Sequence, residues 1–231
     1  MAYILCLETA TEICSVALLN NNILIGLQES HEGNSHASQI TLLIDKLLRD
    51  AKVDYKQLNA IAVSKGPGSY TGLRVGVSTA KGLCYALNIP LIAINTLESL
   101  AHNFILTSNF QLPTSNFFCP MLDARRMEVY CAVFDEQMND VKKTEAKIID
   151  ENSFNDLLES SSVYFFGSGS EKCKIITHPN AVFIDDVKCS AASMLHLAFE
   201  KFEKKDFEDV AYFEPFYLKD FVGTKPSPTK V

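Results

Sequence analysis

The chain has 231 residues, of which 47% are apolar, so it can bury a sizeable core; this excludes disorder for most of its length and fits one domain or two small packed lobes. Its 21 basic and 28 acidic residues give a net charge of -7. This balance excludes an overall positive field that would attract a phosphate backbone, so we expect another subunit to hold any RNA.

The cysteines and the first residues of the chain indicate in which cellular compartment the protein is found. Seven cysteines, none in a Cys-x-x-Cys pair, are typical of buried thiols in a reducing environment. The first residues enter a strand pattern without a basic region, and no apolar run approaches the roughly 20 residues that a membrane span needs. We therefore expect a soluble, cytoplasmic protein.

The first part of the chain predicts the element order βββαβα. Ser35 can cap a helix whose apolar residues share one face, while Leu42 lies opposite that face. A glycine-rich loop leads into a second helix over 72–88, and a third helix can begin near Thr96. The strands are predicted over 3–7, 13–19, 23–27, 58–63 and 91–94.

A polar, proline-containing stretch over 107–116 is the candidate lobe boundary. After it, Asp123 ends a strand before a tight return, as Glu8 does in the first part, which indicates a weak internal repeat. The second copy predicts further strands near 117–123, 130–133, 147–149 and 163–166, and helices over 153–160, shortly after Gly169, and over 190–204.

The loop from Ser64 to Gly76 joins a strand to the start of a helix. Converging backbone N–H groups could bind a phosphate there, but glycines are also needed merely to turn sharply between strand and helix. The pattern fails both the Walker A and the Gly-x-Ser-x-Gly hydrolase motifs. Both interpretations of the loop stay open.

The sequence pattern of the helix after this loop predicts that two of its sides are buried. Its polar residues form a single narrow stripe, Arg74, Ser78, Lys81 and Tyr85, and the other positions are apolar or small. One side faces its own sheet; the other faces either an internal helix or a partner subunit, and the exposed Leu42 favours a partner. The candidate partner-binding residues are Ile40, Leu42, Leu43, Leu47, Leu73, Val75, Gly76, Val77, Thr79, Gly82, Leu83 and Ala86.

Three ordered motifs resemble those of the TsaB (YeaZ-type) family. The segment from Ala60 to Leu83 resembles the family signature, Asp123 to Tyr130 resembles its DARRxEVY motif, and Glu214 to Leu218 resembles its C-terminal P-x-YL ending. The resemblance runs from the first strand to about residue 218 and so covers nearly the whole chain.

This resemblance implies the α/β ASKHA fold class of actin and Hsp70, which is ribonuclease H-like, with two duplicated βββαβα lobes. The first lobe would span 1–106 and carry the partner-binding helices, and a shortened second lobe would span 117–189. A C-terminal helix and closing segment over 190–220 and a mobile tail over 221–231 would follow.

The resemblance also implies a function. The chain would be a non-catalytic scaffold of the complex that transfers threonylcarbamoyl from threonylcarbamoyl-AMP to N6 of adenosine 37 in tRNAs reading codons that begin with A. Its partners would be the catalytic subunit TsaD and the ATPase TsaE. It would bind tRNA through the complex rather than alone, and could form a homodimer when isolated.

The fold class also suggests where a nucleotide would bind. Glu8 and Thr9 occupy the turn where kinases of this fold carry an acid and a hydroxyl, and with Gly66, Gly68 and Ser69 they are the candidate nucleotide-binding residues. Most relatives have aspartate at the first position, so the longer Glu8 weakens the comparison. We expect no tightly bound cofactor, with ATP or ADP at the junction with the partner subunit as the one candidate.

No catalytic residue and no metal site are assigned. TsaD holds a metal through His-x-x-x-His and a distant aspartate, whereas His31 and His36 are five apart. Asp123 and Arg125 could form a polar site or an ion pair that pins the turn, and Gly167 to Ser170 could be a phosphate-contacting hairpin or a plain loop. The alternatives are a glycoprotease-like metalloprotease, a kinase of the same fold and a nucleotide-binding homodimer acting alone.

Overall fold

A computed structural model of the chain describes residues 2–32, 36–107 and 116–219. The predicted cap Ser35, most of the predicted lobe boundary and the tail 221–231 lie outside them. The first sheet has the spatial order β3-β2-β1-β4-β5, with β1 to β3 antiparallel and β4 and β5 parallel to β1. Its strands are β1 (Tyr3–Glu8), β2 (Cys14–Asn20), β3 (Ile23–Ser30), β4 (Leu58–Gly66) and β5 (Leu91–Asn95).

Two helices cover one face of the first sheet. They are α1 (His36–Ala51) and α2 (Tyr70–Leu87), and their apolar residues pack on Leu5 and Leu7. Because side chains alternate along a strand, Ile4 and Cys6 point to the opposite face. The helix α2 starts at a serine cap and ends at Asn88, which is in the left-handed region at φ 54°.

The second sheet repeats the arrangement of the first. Its order is β10-β9-β6-β7-β8, so a central strand again has an antiparallel pair on one side and a parallel pair on the other. The internal repeat is therefore present in the topology. The strands are β6 (Asn116–Asp123), β7 (Glu128–Phe134), β8 (Asp140–Ile148), β9 (Ser162–Phe166) and β10 (Ala181–Ile184).

Each half of the chain supplies a helix to the other half. The helix α3 (Thr96–Thr107) follows the first sheet in sequence but packs against Phe118 and Phe166 of the second. The helix α5 (Leu195–Lys204) follows the second sheet but buries Leu197 and Ala198 against the first. Both faces of the first sheet are consequently covered, as parallel strands require.

Several predicted elements of the second half differ from the structure. The strand predicted over 147–149 is the end of β8, which starts at Asp140. The predicted helix over 153–160 is the short α4 (Asn155–Leu158), and the one over 190–204 divides into a 3₁₀ turn, Ala191–Met194, and α5. The strand β10 was not predicted. The strand β8 alternates charged and small residues at a sheet edge and carries little apolar signal.

Candidate functional site

The carboxyl ends of β1 and β4 bring the predicted nucleotide residues together. Glu8 is buried, and its Oε1 accepts hydrogen bonds from the Ala10 backbone N–H at 2.6 Å and from the Ser64 hydroxyl at 2.9 Å. No cation forms an ion pair with it among residues 2–32, 36–107 and 116–219. Burial raises the pKa of Glu8 to about 7, and its hydrogen bonds with Ala10, Ser64 and Thr9 oppose that rise.

The glycine loop packs against the turn between β1 and β2. A Cβ on Gly68 would stand 2.5 Å from the Ala10 carbonyl oxygen, so Ala10 fills the space beside this glycine. The Ser69 N–H donates to that same carbonyl at 2.7 Å, and the Ser69 hydroxyl accepts from the Gly72 N–H as the cap of α2. Two backbone N–H groups at the start of α2, those of Ser69 and Gly72, are therefore already engaged within the chain.

Two glycines of α2 allow this helix to pack closely against Thr9, at the end of β1. A Cβ on Gly72 would stand 2.0 Å from the Thr9 carbonyl oxygen, and one on Gly76 would stand 2.2 Å from Thr9 Oγ1. Only residues without a side chain allow α2 to lie this near to the end of β1. The two helix glycines thus serve packing against β1.

A C-terminal strap, residues 208–219, covers the loop from the other side. Its Phe216 N–H donates to the Lys65 carbonyl at 2.7 Å, and a Cβ on Gly66 would stand 2.6 Å from the Phe216 carbonyl oxygen. Gly66 has φ 114°, which only glycine adopts readily. The strap thus occupies the outer side of the loop.

Side chains of α2 hold the strap in place. Lys81 Nζ donates to the carbonyls of Ala211 at 3.2 Å and Phe213 at 2.9 Å. The Tyr217 ring lies 4.8 Å from the Tyr70 ring, and its hydroxyl accepts from Arg74 Nε at 3.3 Å. The sequence predicts a closing segment up to residue 220 and the P-x-YL resemblance, but not that this segment packs on the glycine loop; its tyrosines were the available signal.

The second lobe has a polar turn at the equivalent strand end. Asp123 accepts a hydrogen bond from the Arg125 backbone N–H at 2.6 Å, and its ion-pair partner is Lys172, at 2.8 Å. Of the two alternatives for Asp123 and Arg125, the ion pair is not formed, and Lys172 is the cation that pairs with Asp123. Gly167 and Gly169 pack on the backbone of β6, where Cβ atoms would come within 2.4 and 2.9 Å of it, and this favours a plain loop for Gly167 to Ser170.

The structure corrects half of the predicted partner-binding residues. The following side chains lie in the core of the chain itself, or, for the glycine, against Thr9: Ile40, Leu43, Leu47, Leu73, Gly76 and Val77. Spacing identified the helix faces but assigned the inner face of each helix to the partner. Of the remaining positions, Leu42, Gly82 and Ala86 are exposed. Val75, Thr79 and Leu83 are half-buried, and Val75 and Leu83 pack against the core of the first lobe.

The histidines form no ligand cluster. Among the described residues, no three His, Cys, Asp or Glu side chains are placed to share a metal ion. A ring nitrogen of His36 lies 2.9 Å from the Thr11 carbonyl oxygen. The rings of His102 and His196 lie 5.5 Å apart and are tilted by 51°. Burial lowers the pKa of His102, and the nearby His196 lowers it further.

The thiols lie in the interior, as the sequence predicts. All seven cysteines are buried and free. In the described part of the chain, none of the helices has the length and apolar character needed to cross a bilayer.

Known proteins resemble this chain in sequence, some of them over nearly its whole length. Relatives named tRNA threonylcarbamoyladenosine biosynthesis protein TsaB are 29% identical in Haemophilus influenzae, with 97% of each chain covered, and 28% identical in Escherichia coli, with 98% of this chain and 99% of the relative covered. A tRNA N6-adenosine threonylcarbamoyltransferase of Christiangramia forsetii is 32% identical over 62% of this chain and 48% of its own.

Solved structures resemble the fold. YeaZ from Pseudomonas aeruginosa aligns with a TM-score of 0.80 at 24% identity, covering 94% of this chain and all of that one. A polyphosphate/ATP-glucomannokinase from Arthrobacter aligns with a TM-score of 0.50 at 11% identity, covering 88% of this chain and all of that one. Together with the repeated sheets, these similarities establish the ASKHA fold.

The family comparison agrees with the relatives. The family model described as TsaD, tRNA N6-adenosine threonylcarbamoyltransferase, matches residues 29–221, which is most of the chain. The TsaB relatives have the length of this chain, whereas it spans about half of the transferase. The chain therefore belongs to the TsaD family, and within it to the shorter TsaB (YeaZ-type) members.

Proposed function

We propose that the chain is a non-catalytic accessory subunit in the biosynthesis of threonylcarbamoyladenosine in tRNA, and that it acts by binding a TsaD-type catalytic subunit. The pathway is supported by the names of the relatives that match along their whole length. The family match supports a common origin with the transferase itself.

One observation supports the non-catalytic assignment: residues of the chain itself pack tightly against the glycine loop. Ala10 lies against Gly68 on one side, and Phe216 lies against Gly66 on the other. A phosphoryl-transfer enzyme needs this space for its nucleotide and for the accompanying metal ion.

The outer sides of α1 and α2 are the proposed contact surface. Leu42 is 61% exposed, and a Cβ placed on Gly82 would have no heavy atom within 4 Å, so another helix can approach closely there. Ala86 continues this small-residue surface one turn later. An exposed leucine on one helix and an uncovered small-residue surface on the other are typical of a helix-packing interface.

The remaining partners follow from this role. A TsaE-type ATPase would act on the assembled complex, and tRNA would be bound by the complex rather than by the chain alone, whose net charge is -7. Any ATP or ADP would lie at the junction with the catalytic subunit, because the loop of the first lobe is filled. The location would be the cytoplasm, and the isolated chain could pair with itself through the same helices.

Size-exclusion chromatography with light scattering tests the proposal, using the chain alone and mixed with its cognate TsaD-type subunit, with and without ATP. We expect a stable mixed complex, and tRNA modification only when both subunits are present. Modification by this chain without the other subunit, or failure to associate under all these conditions, would contradict the accessory role.

A further inference from the structure

We propose that the turn carrying Arg125 and Arg126 contacts the phosphate backbone of tRNA once the chain is part of the complex. This inference rests on the proposed function and adds a substrate contact to it. The turn joins β6 to β7 at the strand end that corresponds to Glu8 in the first lobe.

The turn is held rigidly by its own backbone. The Arg125 N–H donates to Asp123 Oδ1 at 2.6 Å, and the Ala124 N–H donates to the Glu128 carbonyl at 3.1 Å. Both arginines have left-handed backbones, at φ 70° and φ 48°. Consecutive left-handed residues are typical of tight turns between antiparallel strands, so the turn itself sets where the two side chains leave the backbone.

The charges of the turn leave both guanidinium groups uncompensated. Asp123 pairs with Lys172, and Glu128 pairs with Lys219. Arg125 and Arg126 are exposed, and neither side chain forms an ion pair or hydrogen bond within residues 2–32, 36–107 and 116–219. Two free cations therefore stand side by side in a chain that is acidic overall.

A phosphate backbone fits this feature better than a protein surface. Specific protein interfaces bury roughly 800 Å² on each partner around an apolar centre. Here the turn offers two arginines with Met127 and Ile148 as its exposed apolar neighbours. Asp150 and Glu151 follow β8, the strand that pairs with β7, so the positive charge is confined to the turn. It can supplement tRNA binding by a complex but cannot hold tRNA alone.

The test measures tRNA binding by the assembled complex. Fluorescence anisotropy with a labelled unmodified tRNA transcript compares the parent, R125Q/R126Q and R125K/R126K at several salt concentrations. The control K56A/K143A removes two other exposed lysines. Glutamine keeps a long polar side chain at each left-handed position and removes only the charge.

We expect R125Q/R126Q to bind tRNA roughly fivefold more weakly or worse at about 0.1 M salt. The slope of log K against the logarithm of the salt concentration should become shallower by about 1.4 to 1.8. R125K/R126K should restore most of the binding, because a phosphate contact needs charge more than geometry. The control variant should bind as the parent does.

Two results would overturn the contact. One is unchanged affinity and salt dependence in R125Q/R126Q. The other is loss of the complex itself in that variant, seen by light scattering, which would make the turn a protein-docking site. Failure of the parent chain to form a complex would instead contradict the proposed function, so the two failures are distinguishable.

Discussion

Gly76 lies directly against Thr9: a Cβ at Gly76 would stand 2.2 Å from the threonine Oγ1. Gly82, less than two turns further along the same helix, has nothing within 4 Å of the corresponding position. The same residue type therefore serves close packing at one site and leaves open surface at the other.

This contrast predicts opposite effects of alanine. Gly76→Ala should lower the free energy of unfolding by about 1 to 3 kcal/mol, because the new methyl group overlaps Thr9. Gly82→Ala should raise it by about 0.5 to 1 kcal/mol, because alanine favours an exposed helix. Urea denaturation of both variants measures the difference, and equal effects would contradict the packing described here.

The buried Glu8 predicts a pH-dependent gain from removing its charge. Its pKa rises from 4.5 to about 7 on folding, so the folded chain binds the proton more tightly than the unfolded chain does. The ionised carboxylate therefore costs stability in full above pH 7, and this cost disappears as the pH falls from 7 towards 4.5.

Glu8→Gln keeps an acceptor oxygen for Ala10 and Ser64 but carries no charge. We expect it to be more stable than the parent by about 3 kcal/mol at about pH 8, and by less than about 1 kcal/mol at about pH 5. Thermal unfolding across this range measures the difference. Glu12→Gln, at an exposed position, is the control. A gain that does not depend on pH would argue against the raised pKa.

The two exposed apolar residues Leu42 and Ile23 provide a matched test of the contact surface. They are 61% and 66% exposed, but Leu42 lies on α1 and Ile23 begins the edge strand β3. Leu42→Glu should weaken binding to the TsaD-type subunit by at least tenfold, or about 1.4 kcal/mol, because it puts a charge into a helix contact.

Ile23→Glu should leave this affinity unchanged. Calorimetric titration of each purified variant with the catalytic subunit gives the comparison, and circular dichroism checks that both remain folded. Equal losses in the two variants would place the interface elsewhere or extend it to the edge strand.

The aromatic contact between Tyr217 and Tyr70 predicts that the strap can be loosened selectively. Tyr217→Ala removes the ring contact and the hydrogen bond from Arg74, so it should cost about 1 to 2 kcal/mol and expose the strap. Tyr212→Ala is the control, because that side chain is 85% exposed. Hydrogen exchange at the Phe216 amide, which donates to Lys65, is the direct measurement.

The first half of the fold could be predicted well from the sequence, for a physical reason. The strands and helices there have strong apolar periodicity, and strand, loop and helix follow each other closely in the chain. The second half was harder, because β8 alternates charged residues at a sheet edge and β10 is only partly buried. Such strands are defined by pairing with neighbours that are distant in sequence, which a local pattern does not contain.

The candidate site, like the fold, could be predicted only in part from the sequence. The pattern identified the glycine loop and the helix α2 as the informative segment, and Glu8 does lie beside them. It could not reveal that Ala10 and Phe216 fill the loop, since those contacts join residues far apart in the chain. Periodicity also found both apolar faces of α2, but distinguishing inner from outer needed the position of Thr9.

The exchange of helices between the two halves affects the order of folding during synthesis. One face of the first sheet, which includes Ile4 and Ile94, is covered only when Leu197 and Ala198 arrive. The ribosome has by then synthesised all five strands of both sheets and the helices between them. One apolar face of the earliest strands therefore stays exposed until α5 has been synthesised. A nascent chain that stops before α5 would be a target for chaperones.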